Sequence, residues 1–170
     1  MQRSATQAHD HSPSRPLVFL DIDGVLNHYR WWDYAAENMN RAYVEGDDLH
    51  RLSIDPVSVV WVNRLLTLSD GLLVISSTWR VSFPFEELKR ILGMVGINQD
   101  LIIGRTPEYK NAQRGWEIED WVEKFGPCVG YVALDDDSDW GDIEEHWCLI
   151  DRKVGFTEDD LEKALEILEL

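Results

Sequence analysis

Short apolar runs alternate along this chain with stretches in which apolar residues recur at every third or fourth position. The runs are Leu17–Leu20, Leu72–Ile75, residues 101–103, residues 129–134 and residues 147–150. Bounded by turn-forming residues, such runs read as buried strands. Between them, Asp55-Pro56 supplies an N-cap and a proline at the first helical position. Val57, Val60, Trp61, Leu65 and Leu68 follow at helical spacing until Asp70-Gly71 closes the element. Pro84 opens a second helix with Phe85, Leu88, Ile91 and Leu92 on one face and Gly93 at its end. A third carries Ile118, Trp121, Val122 and Phe125 and stops at Gly126-Pro127. Thr157-Glu158-Asp159-Asp160 caps a fourth, whose apolar face is Leu161, Ala164, Leu165 and Leu168.

Strands alternating with helices predict an α/β fold, a mostly parallel sheet with helices on both faces. Residues 1–15 are polar and aperiodic and read as a disordered tail, leaving residues 16–170 as the domain. Residues 27–53 carry Trp31, Trp32, Tyr34 and Tyr43 without a clear period. A stretch of that length reads as a flap over a site. Trp31 and Trp32 could stack on a substrate or pack against the domain.

The first strand ends in Asp21-Ile22-Asp23-Gly24. Carboxylates at i and i+2 leave a strand tip on one side, because strand side chains alternate. Alone, such a pair could be a solvated acidic turn. Here the other strand ends are unusual too, with Ser76 and Ser77 after the second and Asp135-Asp136 after the fourth. In parallel α/β sheets, ligands bind beyond the carboxyl ends of the strands.

Converging carboxylates repel one another unless a cation lies between them. Oxygen donors without a His/Cys cluster favour a hard divalent ion, Mg2+ first. That chemistry suits phosphoryl transfer. Asp21 is the candidate nucleophile, and Asp23 the candidate acid that protonates the leaving oxygen and then deprotonates water. Ser76 would bond a phosphate oxygen, with Arg114 and Lys110 as candidate cations for the phosphoryl charge.

Composition narrows the partners. The chain has 170 residues and a formal net charge of −16, from 32 acids and 16 bases. Such a charge repels polyanions and argues against non-specific nucleic-acid coating, though not against action on one phosphorylated end. No apolar run reaches the ~20 residues of a membrane span, and the first residues carry no secretory pattern. Cys128 and Cys148 lack metal-binding spacing. They read as core thiols in a cytoplasmic protein, monomeric or weakly dimeric.

The order of these motifs resembles the haloacid dehalogenase-like (HAD) phosphohydrolase superfamily. Residues 20–26 (Leu-Asp-Ile-Asp-Gly-Val-Leu) match its first motif, residues 72–76 its second and residues 129–136 its fourth. The third motif is normally a lysine at a helix start; Arg114 holds that place here, with Lys110 nearby. The resemblance implies a Rossmann-like sheet of order 5-4-1-2-3 and Mg2+ held by Asp21, the Asp23 backbone carbonyl and an acid of the fourth strand. Asp135 would be the direct ligand and Asp136 would act through water, with Asp139 in reserve. It also implies a phosphatase rather than a dehalogenase, since an aspartate stands at position 23. There is no large cap, as in compact HAD domains related to nucleic-acid and RNA repair, which suggests 3′-phosphate ends or nucleotides. Gly24, Ser77, Thr78, Trp79 and Arg80 would then lie against the substrate. The alternative is a HAD fold kept for binding or regulation without turnover. A receiver-like signalling domain is disfavoured, because its adjacent acids follow the first strand rather than the fourth.

Overall fold

The four residues of strand β1 (Leu17–Leu20) are all buried, and the whole architecture is arranged around them. In this computed structural model, which describes residues 15–39, 53–126 and 128–170, β1 pairs in parallel with β2 (Leu72–Ile75) and β4 (Tyr131–Asp135). Outside these lie β3 (Ile102–Arg105) and β5 (Trp147–Leu149), also parallel, giving the order β3-β2-β1-β4-β5. A strand covered on both faces must be apolar throughout, as β1 and β2 are. The expected α/β class, sheet order and parallel pairing are all present.

Alternate side chains of the central strands feed two cores. Val18, Leu20, Leu73, Ile75, Val132 and Leu134 meet Val62 and Leu65 of α2 (Pro56–Ser69), Leu88 and Leu92 of α4 (Phe85–Met94), and Leu161 and Ala164 of α6 (Glu158–Ile167). Leu17, Phe19, Val74 and Ala133 meet Ile118 of α5 (Arg114–Phe125), together with Ile143 and Trp147. Trp121 stands edge-on to Phe19 at 5.6 Å.

The caps read from the sequence operate as expected. Asp55 accepts from the Val57 amide, Asp70 ends α2 in the left-handed region, and Thr157 with Asp160 forms a capping box. Strand limits move by one or two residues, which is ordinary for ends that fray. Two helices were not expected. One is α3 (Trp79–Ser82), a single turn after β2. The other is α1 (Tyr29–Asn38), inside the segment that reads as an irregular flap. Its N-cap is His28, whose Nδ1 accepts from the Trp31 amide, and histidine is not a residue by which one recognises a helix start.

The expected polar tail falls almost wholly outside the described residues, as does Tyr43 of the flap. Arg15, the last residue of that tail, pairs with Asp70 at 2.9 Å and donates to the Asp70 and Gly71 carbonyls. No helix among the described residues is long and apolar enough to cross a membrane.

Candidate functional site

The carboxyl ends of β1, β2 and β4 open onto one crevice, because the three strands run parallel and in register. Asp21 follows β1, and its amide donates to the Leu134 carbonyl at 3.0 Å, which carries the pairing one residue beyond the strand. Asp135 closes β4. One oxygen from each of Asp21, Asp135 and Asp136 lies within 4.8 Å of the others. Asp21 and Asp135 are buried, and Asp136 is half-buried.

Burial dominates the electrostatics. Without a cation, desolvation pushes Asp21 up to about 6, while the Arg114 charge and the Ser77 hydroxyl draw it down. Asp135 is pushed up to about 8 by burial and then by the charge of Asp21, with Arg114 again opposing. Burial also raises Asp136, against the pull of Arg152, whose Nε lies 2.8 Å from its carboxylate. Two buried acids that hold protons above their usual range and face a third fit a divalent ion with oxygen ligands.

The Asp23 carboxyl lies outside this group of three, although its charge acts on Asp21 and Asp136. Its Oδ1 accepts from Asn27 Nδ2 at 2.7 Å, and the Trp79 indole N–H lies 3.0 Å from both of its oxygens. The turn that aims it needs Gly24, at φ +78°, where a Cβ would sit 2.2 Å from the Asp136 carboxyl. The Gly24 amide donates to the Asn27 carbonyl at 2.7 Å and to Asn27 Oδ1 at 3.1 Å.

Of the two serines after β2, it is Ser77 that faces Asp21. Ser76 Oγ instead lies 3.4 Å from Thr106 Oγ1, on the β3 side. Arg114, at the first turn of α5, donates to the Ser76 carbonyl, and its charge acts on both Asp21 and Asp135. Lys110 is exposed on the preceding loop. Asp139 is engaged elsewhere, accepting the Arg114 amide at 3.1 Å and the Gly115 amide at 3.0 Å, and so caps α5.

Arg80 is buried, donating to the Ser77 carbonyl at 2.8 Å and pairing with Glu117. It braces the loop after β2 rather than offering its charge to solvent. Thr78 is exposed at the rim. Trp32 joins Asp23, Gly24, Asn27, Tyr29, Asp136 and Arg152 around a cleft of about 150 Å3. Trp31 faces away, into a separate cavity of about 450 Å3 beside Trp61 and Phe156. A third cavity, of about 540 Å3, opens on the other side of Asp23 against Thr78, Trp79, Val81 and Phe83.

Reading the sequence missed Asn27, Arg152 and Glu117. Asn27 was within reach, four residues after Asp23 at the end of the same turn. Arg152 and Glu117 lie far along the chain, and only the tertiary structure brings them in.

A family described as the HAD domain in Swiss Army Knife RNA repair proteins matches this chain over residues 17–161. No curated protein and no solved structure matches it significantly.

Proposed function

Since the chain belongs to the HAD domains of Swiss Army Knife RNA repair proteins, we propose that it is a Mg2+-dependent phosphomonoesterase acting through an aspartyl-phosphate. The observation that carries this reading is the separation of two carboxylate roles. Asp21 lies in a buried acidic cluster with Asp135 and Asp136, while Asp23 is held apart by Asn27 and Trp79.

Asp21, Asp135 and Asp136 would hold the cation, with the Asp23 backbone carbonyl as the further ligand the family implies. When bound, Mg2+ supplies charge neutralisation for the acids and for the phosphoryl oxygens. An oxygen of Asp21 attacks phosphorus, and the bond from phosphorus to the leaving oxygen breaks as Asp23 gives that oxygen its proton. Asp23, now a carboxylate, takes a proton from water as the water attacks the aspartyl-phosphate. The bond from phosphorus to Asp21 breaks, and phosphate leaves with Asp21 and Asp23 restored. Arg114 balances the phosphoryl charge, and its guanidinium is held by the Ser76 carbonyl. Ser77 assumes the phosphate-binding hydroxyl role, because its side chain is the one directed at Asp21.

The substrate class we favour is a phosphorylated nucleic-acid end, a 3′-phosphate above all, or a nucleotide. Family membership supports it, as does the aromatic pair of Tyr29 and Trp32, 5.7 Å apart at the cleft. The net charge of −16 limits contact to the end of such a strand. The reading places the chain in the cytoplasm, with Cys128 and Cys148 as free thiols.

The test is hydrolysis of an aryl phosphate and of 3′-phosphorylated oligonucleotides with Mg2+, with EDTA, and by Asp21→Asn. Metal-dependent turnover lost in the variant supports the reading. Mg2+ binding without turnover on either substrate overturns it in favour of a silent binding module.

A further inference from the structure

We infer that Trp79 is a positioning residue for the proton-transfer carboxyl of Asp23, acting through its indole N–H rather than through its bulk. This inference rests on the phosphatase reading above and adds a residue to it.

The indole nitrogen stands 3.0 Å from Oδ1 and 3.0 Å from Oδ2 of Asp23. A donor equidistant from both oxygens lies near the bisector of the carboxyl. Swinging the carboxyl away about the Cα–Cβ bond lengthens both contacts, so this donor fixes the direction in which the group points. Asn27 Nδ2 holds Oδ1 from another direction at 2.7 Å and resists rotation about the Cβ–Cγ bond, so two donors restrain two different motions of the group. A carboxyl that must deliver a proton along one line gains from such fixing, because small misplacements of reacting groups cost large factors in rate.

Trp79 is itself held. It begins α3, the turn that Ser77 and Thr78 initiate, and the Arg80 and Val81 amides bond back to the Ser77 and Thr78 carbonyls at 3.1 and 3.0 Å. Its ring lies 5.8 Å from Phe83, tilted by 40°. The segment that presents Ser77 to Asp21 thus also presents an N–H to Asp23, two residues later. The cavity beyond Asp23 is walled by the same indole, with Thr78, Val81 and Phe83.

The experiment compares kcat/KM for phosphomonoesters whose leaving groups range from p-nitrophenol to simple alcohols, in wild type, Trp79→Phe and Asp23→Asn. A poor leaving group needs the proton, and a good one does not. Trp79→Phe keeps the ring and removes the donor. The expected result is a loss of about ten- to 100-fold on alkyl phosphates and a much smaller loss on p-nitrophenyl phosphate, a steeper leaving-group dependence in the direction of Asp23→Asn. A uniform loss across the series, or none, overturns the inference and leaves Trp79 as a packing or substrate-shelf residue. If Asp23→Asn itself leaves the slope unchanged, the phosphatase reading fails, and that outcome is separable from the first. Should Trp79→Phe not fold, site-specific replacement of Trp79 by benzothienylalanine carries the same test. It exchanges only the N–H for sulfur within the same shape.

Discussion

His28 Nε2 lies 2.9 Å from Asp55 Oδ2, joining the residue that caps α1 to the residue that caps α2. Both are buried. His28 Nδ1 accepts from the Trp31 amide, so the hydrogen on Nε2 goes to Asp55. Asp55 in turn accepts from the Val57 amide at 2.9 Å. One carboxylate therefore serves two helix starts and anchors the flap to the body of the fold. Burial pushes the Asp55 carboxyl upward, but the bonds from His28 and Val57 outweigh it and hold the group below its usual range.

Asp55→Asn should cost about 1–3 kcal/mol at neutral pH, from a weakened cap and a mismatched His28 N–H. A carboxyl whose folded pKa is depressed stabilises the fold above its unfolded value of ~3.9, and that contribution is lost as pH falls through the folded value. The gap between wild type and variant should therefore narrow below about pH 4. Urea unfolding from pH 7 to pH 3 measures it, and a gap that stays constant across that range would refute the assignment.

Metal binding should be strongly pH-dependent. The folded pKa values of Asp21 and Asp135, about 6 and about 8, lie above the unfolded ones. For raised carboxyls the stability is present below ~4 and is lost as pH rises through those values. The metal-free protein is thus weakened between pH 4 and pH 8, and a cation that replaces the protons restores it. Apparent Mg2+ affinity should fall by about tenfold per pH unit below 8, as one proton is displaced per ion, and more steeply below 6. Thermal melts with Mg2+ and with EDTA should separate further at pH 8.5 than at pH 6. Equal separation would show that the ion does not bind at these acids.

How much of this was legible depended on distance along the chain. Asp21, Asp23 and Gly24 sit in one turn, and Asp135-Asp136 ends a run of apolar residues, so periodicity alone brings them to one edge of the sheet. Ser76 and Ser77 were equally placed by that logic. A one-residue step reverses a side chain's direction, and only the turn after β2 decides that Ser77 meets Asp21 while Ser76 meets Thr106. Arg80 reads from the sequence as a substrate contact because it sits just past the serines of the phosphate site. Its burial against Glu117, 37 residues onward, had no local signal. Helix α1 escaped notice because histidine caps it and aromatic residues, which are weak helix formers, fill its first turns.

Glu117 is expected to be costly to neutralise. It pairs with Arg80, lies 3.8 Å from Arg114 Nε, and accepts the Tyr109 amide at 2.9 Å. Burial and the neighbouring charge of Arg114 lower the Arg80 pKa, and Glu117, ahead of Glu108, opposes them. Removing one partner of a buried ion pair typically costs ~3–5 kcal/mol, because the other charge stays buried. Glu117→Gln should fall in that range by chemical unfolding. In conditions where the variant stays folded, it should also lose activity, because Arg114 loses a contact that aims it. A folded variant with wild-type turnover would confine Glu117 to stability.

The adjacent tryptophans of the flap should separate into two roles. Trp32 is exposed, stands edge-on to Tyr29, and lines the cleft with Asp23, Gly24, Asp136 and Arg152. Trp31 is half-buried, stacks on Tyr34 at 5.5 Å, and lies over Trp61, Phe156 and the His28–Asp55 pair. A helix turns by about 100° per residue, so neighbours on α1 cannot share a face. Loss of one stacking contact with a base is worth ~1–3 kcal/mol, so Trp32→Ala should raise KM about tenfold on a nucleotide substrate. Its kcat and unfolding midpoint should barely move. Trp31→Ala should instead lower stability by about 1–3 kcal/mol, through lost apolar burial, with KM unchanged. Steady-state kinetics and urea titrations on the two single variants decide the matter. If Trp31→Ala raises KM and Trp32→Ala does not, the substrate enters over the Trp61 cavity instead, and the cleft beside Asp136 is not its path.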